Sequence, residues 1–280
     1  MKDTTTIYKV IKQLILSNIV SIICLVIGLL CVVFLHTTKS VKPQLVFLNV
    51  GQGDAVLIQQ DNFQILVDGG PDDSVVYELA KYMPWFDKEI EVMILTHPHE
   101  DHLAGLMLLL KKYTVKKILY SFVEYPNAGY QYLLSNYRDI LEDGKAGLSI
   151  DYKDLHLTQV FPLSEKEKQD ENINNESVIL FSEIKGYKVL LMGDAEVEVE
   201  EKIAGYDFLG NIDVVKIGHH CSDTSSSEMF LTRTDPSIAV CSCGRKNKFG
   251  HPASETIQKL EESNVQYFIT YLDGSILFNF

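Results

Sequence analysis

A chain of 280 residues leaves room for a short N-terminal element and one sizeable domain with a core of its own. With 25 basic against 38 acidic residues its formal net charge is −13, a field that repels polyanions at long range and excludes tight non-specific binding to nucleic acid, although a bound divalent metal can reverse it locally. Cys24 and Cys31 fall in an apolar N-terminal run, and the odd three that remain, Cys221, Cys241 and Cys243, are no disulfide framework.

Leu14 to Leu35 reads LILSNIVSIICLVIGLLCVVFL, without a charge or a proline. At about 1.5 Å per residue it covers the roughly 30 Å of bilayer hydrocarbon, so one transmembrane helix is expected. A cleaved signal peptide would have a shorter apolar part followed by small residues, where this chain has HTTKSVK. The expected organisation is a tail at 1–13, an anchor at 14–36, a linker at 37–42 and one folded domain at 43–280. Lys2, Lys9 and Lys12 before the helix, against Lys39 and Lys42 after it, bias the N-terminus slightly towards the cytoplasm and the domain towards the outside.

QLVFLNVGQGDAVLIQ reads as strands about a Gly-Gln-Gly turn, with Asp54 bonded to turn amides rather than to metal, and FQILVDGG as a further strand. VVYELAKYMPWF is expected to be helical until Pro84. EVMIL is a buried strand that delivers THPHEDHLAGL, with a helix beginning beside His102. KKILYSF (strand), YQYLLSNYRDIL (helix) and LSIDYKDLHLTQVFP (strand pair) follow, then the charged loop SEKEKQDENINNES. SVILFSEIKGYKVLLMGD reads as a hairpin about Lys185-Gly186 that ends in Gly193-Asp194, and NIDVVKIGHH as a strand that ends in a histidine pair. Cys241 and Cys243, i and i+2 in a strand, point to opposite faces and are expected to be small buried residues. Alternating strands and helices with hairpins among them predict a layered α/β domain with mixed sheets.

The chemistry concentrates in H-x-H-x-D-H. His97 and His99 can reach one metal ion as neutral imidazoles, and Asp101 with His102 a second close by. Imidazoles with carboxylates suit zinc and admit manganese. Two divalent metal ions about 3.5–4 Å apart can activate water near neutral pH and clamp the oxygens of a phosphoester or acyl centre. The cluster needs partners from other strand ends, which Asp194 and the pair His219-His220 supply.

FLNVGQGDAVLIQ, ILVDGG, LTHPHEDHLAGL, NNESVIL, LLMGDAE, VVKIGHHCSDTSS and NKFGHP together resemble the metallo-β-lactamase superfamily, and more narrowly the extracellular domain of ComEC-type competence proteins. The resemblance implies an αββα sandwich of two mixed β-sheets with the metal site along one edge. It implies the ligand set His97, His99, Asp101, His102, Asp194 and His219, with Asp194 bridging the two metals. His219, directly after Gly218, is preferred to His220, which would then face substrate. Asp68 is expected to brace the metal loop, His251 to hold a scissile oxygen or protonate the leaving group, and Asn247 to stand on the substrate side. Two departures stand out. NINNESV lacks the third histidine common for the first metal, so Asn175 or water is expected to fill the gap, and Cys221 stands where glycine is more usual, a thiol in place of a small residue. The implied function is a membrane-anchored, metal-dependent hydrolase, a phosphodiesterase or nuclease in which Asp101 and Asp194 orient metal-activated water for attack on a phosphorus ester. DNA, a wall polymer or a small molecule could be the substrate. A non-catalytic metal-binding surface module that assists DNA uptake or wall metabolism is the alternative, and β-lactam hydrolysis ranks below both.

Overall fold

The computed structural model describes residues 3–37, 42–163 and 171–280, so 38–41 of the expected linker and 164–170 of the expected charged loop lie outside the described residues. The chain divides into two units, residues 1–41 and 42–280. In the first, α1 (Asp3–Thr37) is one continuous helix. Its segment Lys12–Val32 has a mean hydropathy of 2.8 and no buried residue, and is long and apolar enough to cross a membrane.

In the second unit, period-two alternation builds two sheets. The first contains β1 (Gln44–Phe47), β2 (Val56–Gln60), β3 (Phe63–Val67), β4 (Glu89–Leu95), β5 (Thr114–Tyr120) and β6 (Leu141–Asp143). The second contains β7 (Ser149–Tyr152), β8 (Leu155–Phe161), β9 (Ile179–Ile184), β10 (Tyr187–Leu191), β11 (Val214–Lys216), β12 (Ile238–Cys241) and β13 (Gln266–Ile269). β14 (Ile276–Asn279) returns to the first sheet and pairs with β1. The orders are β14-β1-β2-β3-β4-β5-β6 and β13-β12-β11-β10-β9-β8-β7. Each sheet is antiparallel in one half and parallel in the other, from β3 to β6 and from β10 to β13.

Leu45, Phe47, Ile65 and Val67 face Leu180, Val189, Leu191 and Val240 between the sheets. Their sequence neighbours point outwards: Val46 and Leu66 pack against α2 (Ser74–Leu79), α3 (Glu100–Leu109) and α4 (Ala128–Asn136). Leu190 and Val215 pack against α5 (Val197–Ile203), α6 (Glu228–Thr234) and α7 (Ser254–Glu262). Both faces of both sheets are therefore covered, which is the αββα sandwich. Each fully buried Val, Leu, Ile or Phe contributes roughly 1.5–3 kcal/mol by leaving water.

α2 ends at Leu79, short of the expected stop at Pro84. Met83 precedes the proline and is disfavoured in the α region, so the intervening residues form turns instead. The helix after β4 starts at Glu100, which puts Asp101 and His102 in its first turn. Its axis runs close to the loop after β3: Gly69 N donates to His102 O at 2.8 Å and Gly105 N to Gly70 O at 3.0 Å. A Cβ on Gly105 would overlap the Gly69 carbonyl oxygen. Alanine gains about 1 kcal/mol of helix propensity, but forcing backbone from backbone costs up to about 3 kcal/mol, so Gly105→Ala is expected to destabilise by ~2 kcal/mol net. Thermal unfolding followed by circular dichroism checks this; a midpoint equal to or above the parent's would refute the close approach.

Candidate metal centre

Apart from Asp54, which precedes β2, the residues that build the centre leave C-terminal strand ends in the parallel half of a sheet. Asp68 follows β3, the segment Thr96–His102 follows β4, Asp194 follows β10, His219 and His220 follow β11, and Ser242 follows β12. The edge where the two sheets meet thus collects side chains from five strand ends.

Among the described residues, four three-residue groups bring ligand-type atoms within 4.8 Å of one another: His97, His99 and Asp194; Asp101, His102 and His220; Asp54, Asp194 and His220; and Asp54, Asp68 and His102. Asp194 lies between the first two. Its Oδ2 is 3.7 Å from His97 Nε2, 3.2 Å from His102 Nε2 and 3.2 Å from His220 Nε2. His220 Nε2 is also 3.2 Å from Asp101 Oδ2. His102 Nε2, His220 Nε2 and Asp194 Oδ1 are buried yet lack a hydrogen bond of good geometry. Buried polar atoms left so are costly. A shared divalent cation would satisfy convergent imidazole and carboxylate donors of this kind, so the residues fit the pair of divalent metal ions expected from the sequence.

Support comes from the next layer of contacts. Asp68 accepts from Thr96 N at 2.9 Å and Thr96 Oγ1 at 2.7 Å, and its Oδ2 lies 2.8 Å from His102 Nδ1, which leaves His102 Nε2 for the centre. Ser177 Oγ accepts from Asp194 N at 2.9 Å and is 3.3 Å from His97 Nδ1. His220 Nδ1 lies 2.9 Å from Ser242 O and 3.2 Å from Asp54 Oδ1. Asp54 in turn pairs with Lys216, whose Nζ is 3.6 Å from Asp194 Oδ1 and donates to Gly193 O at 2.6 Å. Lys216 is only 1% exposed. A lysine inside an apolar strand needs a buried carboxylate, and VVKIG carried that signal in the sequence. Asp54, expected to bond turn amides, answers it.

Protonation follows burial and charge. Burial, helped by the charge of His102, holds His97 well below the ordinary imidazole range, and burial lowers His99. Both are the neutral form that binds metal. Burial also pushes His102 and His220 down, but Asp194 with Asp68 at the first, and Asp194 with Asp54 at the second, raise both well above that range in the metal-free chain. Burial opposes ionisation of Asp194, and His220 and His102 overcome it and hold its carboxyl well below the ordinary range.

The histidine pair is exchanged relative to expectation. His220, not His219, joins the ligand-type group. His219 turns to the rim, its Nδ1 3.2 Å from Glu196 Oε1 and 3.2 Å from Thr224 Oγ1. The reason is local: φ is 45° at His219 and 53° at His220, so the chain leaves β11 in a left-handed turn that carries the second ring inward. Asn247 is engaged within its own loop, Nδ2 donating to Gly244 O at 2.8 Å and Oδ1 accepting from Phe249 N and His251 N, which leaves no amide group for substrate. Asn175 does not fill the first group either, since its amide meets Glu196 N and Glu198. Cys221 is bonded to Cys241 and is no free thiol. The His251 ring stands 5.3 Å from His219 and 6.2 Å from His220; burial and those two charges lower it to about 4.

Residues 48–245 match the metallo-beta-lactamase superfamily. ComE operon protein 3 of Bacillus subtilis is 27% identical over 90% of this chain and 35% of its own length. Recombination protein 2 of Haemophilus influenzae is 32% identical over 90% of this chain and 31% of its own. The chain thus spans about a third of the length of these relatives. Among solved structures, Igni18, a metallo hydrolase from Ignicoccus hospitalis, superposes with a TM-score of 0.57 at 14% identity, covering 85% of this chain and 99% of that one.

Proposed function

Because the chain belongs to the metallo-β-lactamase superfamily, we propose that its domain is a two-metal hydrolase of phosphodiesters, a phosphodiesterase or nuclease, held to the membrane by α1 with the domain outside the cell. The observation that carries this reading is the convergence of His102, His220 and Asp194 atoms, buried and without aligned hydrogen bonds, beside His97, His99 and Asp101. His97, His99 and Asp194 would hold one ion, Asp101, His102 and His220 the other, with Asp194 shared and either zinc or manganese as the metal. Such a pair supplies Lewis acidity, a nucleophilic water near neutral pH and a clamp on the attacking and leaving oxygens.

The chain's own groups do the rest. Asp68 and Asp54 fix the two imidazoles so that Nε2 faces inward. His251, neutral at physiological pH, serves as a hydrogen-bond donor to a scissile oxygen rather than as a charged acid. The rim favours a phosphate-bearing substrate. Arg245, Lys246 and Lys248 are exposed in the loop that leads to His251, and Phe249, 56% exposed, stacks on His251 with ring centroids 5.7 Å apart. In a chain of net charge −13 this is a local basic entry beside the centre. The relatives' names, a ComE operon protein and a recombination protein, favour DNA over a wall polymer or a small phosphodiester. The Cys221–Cys241 bond favours an oxidising compartment, hence the outer side.

The test uses the full chain in detergent with zinc or manganese, bis(p-nitrophenyl) phosphate, DNA oligonucleotides and nitrocefin as substrates, and Asp101→Ala combined with Asp194→Ala as the control. Phosphodiester turnover that disappears in the control is expected. Metal uptake without turnover of any phosphodiester would make the domain a binding module, and nitrocefin turnover alone would make it a lactamase.

A further inference from the structure

Three consecutive residues that carry side chains, His219, His220 and Cys221, have φ of 45°, 53° and 63°. In that left-handed region a Cβ crowds the following carbonyl oxygen, and a run of three persists only where its surroundings over-determine it. Hydrogen bonds frame the run: Ser222 N donates to His219 O at 2.9 Å and Ala253 N to Cys221 O at 2.8 Å. One tie is covalent. Cys221 is bonded to Cys241, the last residue of β12, with Cα atoms 5.5 Å apart and both residues fully buried. The next residue, Ser242, presents the carbonyl oxygen 2.9 Å from His220 Nδ1. The strand end that holds Cys221 through sulfur therefore also holds the ring of His220, and Nε2 is left facing Asp101 and Asp194 at 3.2 Å each.

We infer that the Cys221–Cys241 bond is a positioning element of the metal centre: it keeps His219–Cys221 in the left-handed turn that swings His220 inward, a task that a glycine at 221 would perform through its unhindered backbone. The inference rests on the metal-centre reading and extends it by giving the centre a covalent part outside its ligands. Neither sulfur is in any of the ligand-type groups, so the bond acts on the metal only through the backbone and His220. Cys243, buried and free, has no part in it.

Two double variants of the full chain separate this role from simple cross-linking. Both lack the bond: Cys221→Ala with Cys241→Ala keeps a Cβ at the left-handed position, and Cys221→Gly with Cys241→Ala removes it. In the metal-free state the glycine variant is expected to melt above the alanine variant by about 2–4 °C, because only alanine is strained at positive φ. In competition with a chelator for zinc and for manganese, the alanine variant is expected to lose roughly tenfold or more in affinity and the glycine variant about threefold at most, since a group that orients a ligand is worth about 10–100-fold. Alkylation of the denatured, unreduced parent should label three of its five cysteines, Cys24, Cys31 and Cys243. Labelling of all five, equal losses in the two variants, or an alanine variant that equals the parent in metal affinity would each overturn the inference. If the parent itself takes up no metal, the proposed function fails, while the order of the two melting midpoints still reads the positioning role.

Discussion

Asp194→Asn is expected to yield a folded chain that binds zinc and manganese at least a hundredfold more weakly and shows no measurable phosphodiester turnover. Outer partners of metal ligands are worth about 10–100-fold in affinity, and Asp194 would be a ligand itself, shared by both ions. Its Oδ2 lies within 3.2 Å of both His102 and His220 and 3.7 Å from His97, so its charge serves three imidazoles at once. The amide keeps the shape and one acceptor oxygen but loses the charge that lowers each ion's energy in the site. Metal content by mass spectrometry and isothermal titration would check this. A variant that retained both ions would remove Asp194 from the position between them and leave the two groups of ligands independent.

Lys216→Met should act in two directions. The ammonium is buried against Asp54 and stands 3.6 Å from Asp194. Burial would push its pKa down, and Asp54 followed by Asp194 outweighs this and raises it above the ordinary lysine range. Removing the lysine breaks a buried pair and leaves Asp54 facing His220 alone of its two close cationic neighbours, at a cost towards the lower end of about 3–5 kcal/mol. A midpoint roughly 10 °C or more lower is therefore expected for the metal-free chain. Saturating metal should recover more of the loss than it adds to the parent, because the cation replaces the missing positive charge beside Asp54 and Asp194. Asp54→Asn combined with Lys216→Met should melt above Lys216→Met alone, since it removes the orphaned carboxylate as well. A single variant as stable as the parent would mean that the lysine and aspartate are not paired in the fold.

The ligands close together in sequence were the legible part of this centre. His97, His99, Asp101 and His102 need only a strand end and the first turn of a helix to converge, and residue types with spacing express both. What depends on backbone sign or on distant neighbours was not legible. Which ring of the pair turns inward is decided by left-handed φ values, and nothing in GHHC signals them. The bond from Cys221 to Cys241 spans 20 residues and exists because β11 and β12 run parallel side by side, so that both cysteines leave neighbouring strand ends. Asn247 carried the right chemistry for a substrate contact, and only the curl of its loop shows that its amide is already engaged. Up to Cys241 the strands of the sandwich were readable from alternation except β6, whose Leu141 was expected to end a helix, whereas the pairing of β14 back onto β1, more than 200 residues away, is a matter of topology alone.

The two ligand groups draw on both sheets: His97, His99, Asp101 and His102 come from the end of β4, and Asp194 and His220 from the ends of β10 and β11. A cation held by such a set acts as a rivet through the seam of the sandwich. Amide hydrogen exchange should then show protection added by metal along the strands on both sides of the seam, beyond the loops that touch the ion. Openings that part the sheets must release the ion, whereas fraying of an outer helix need not.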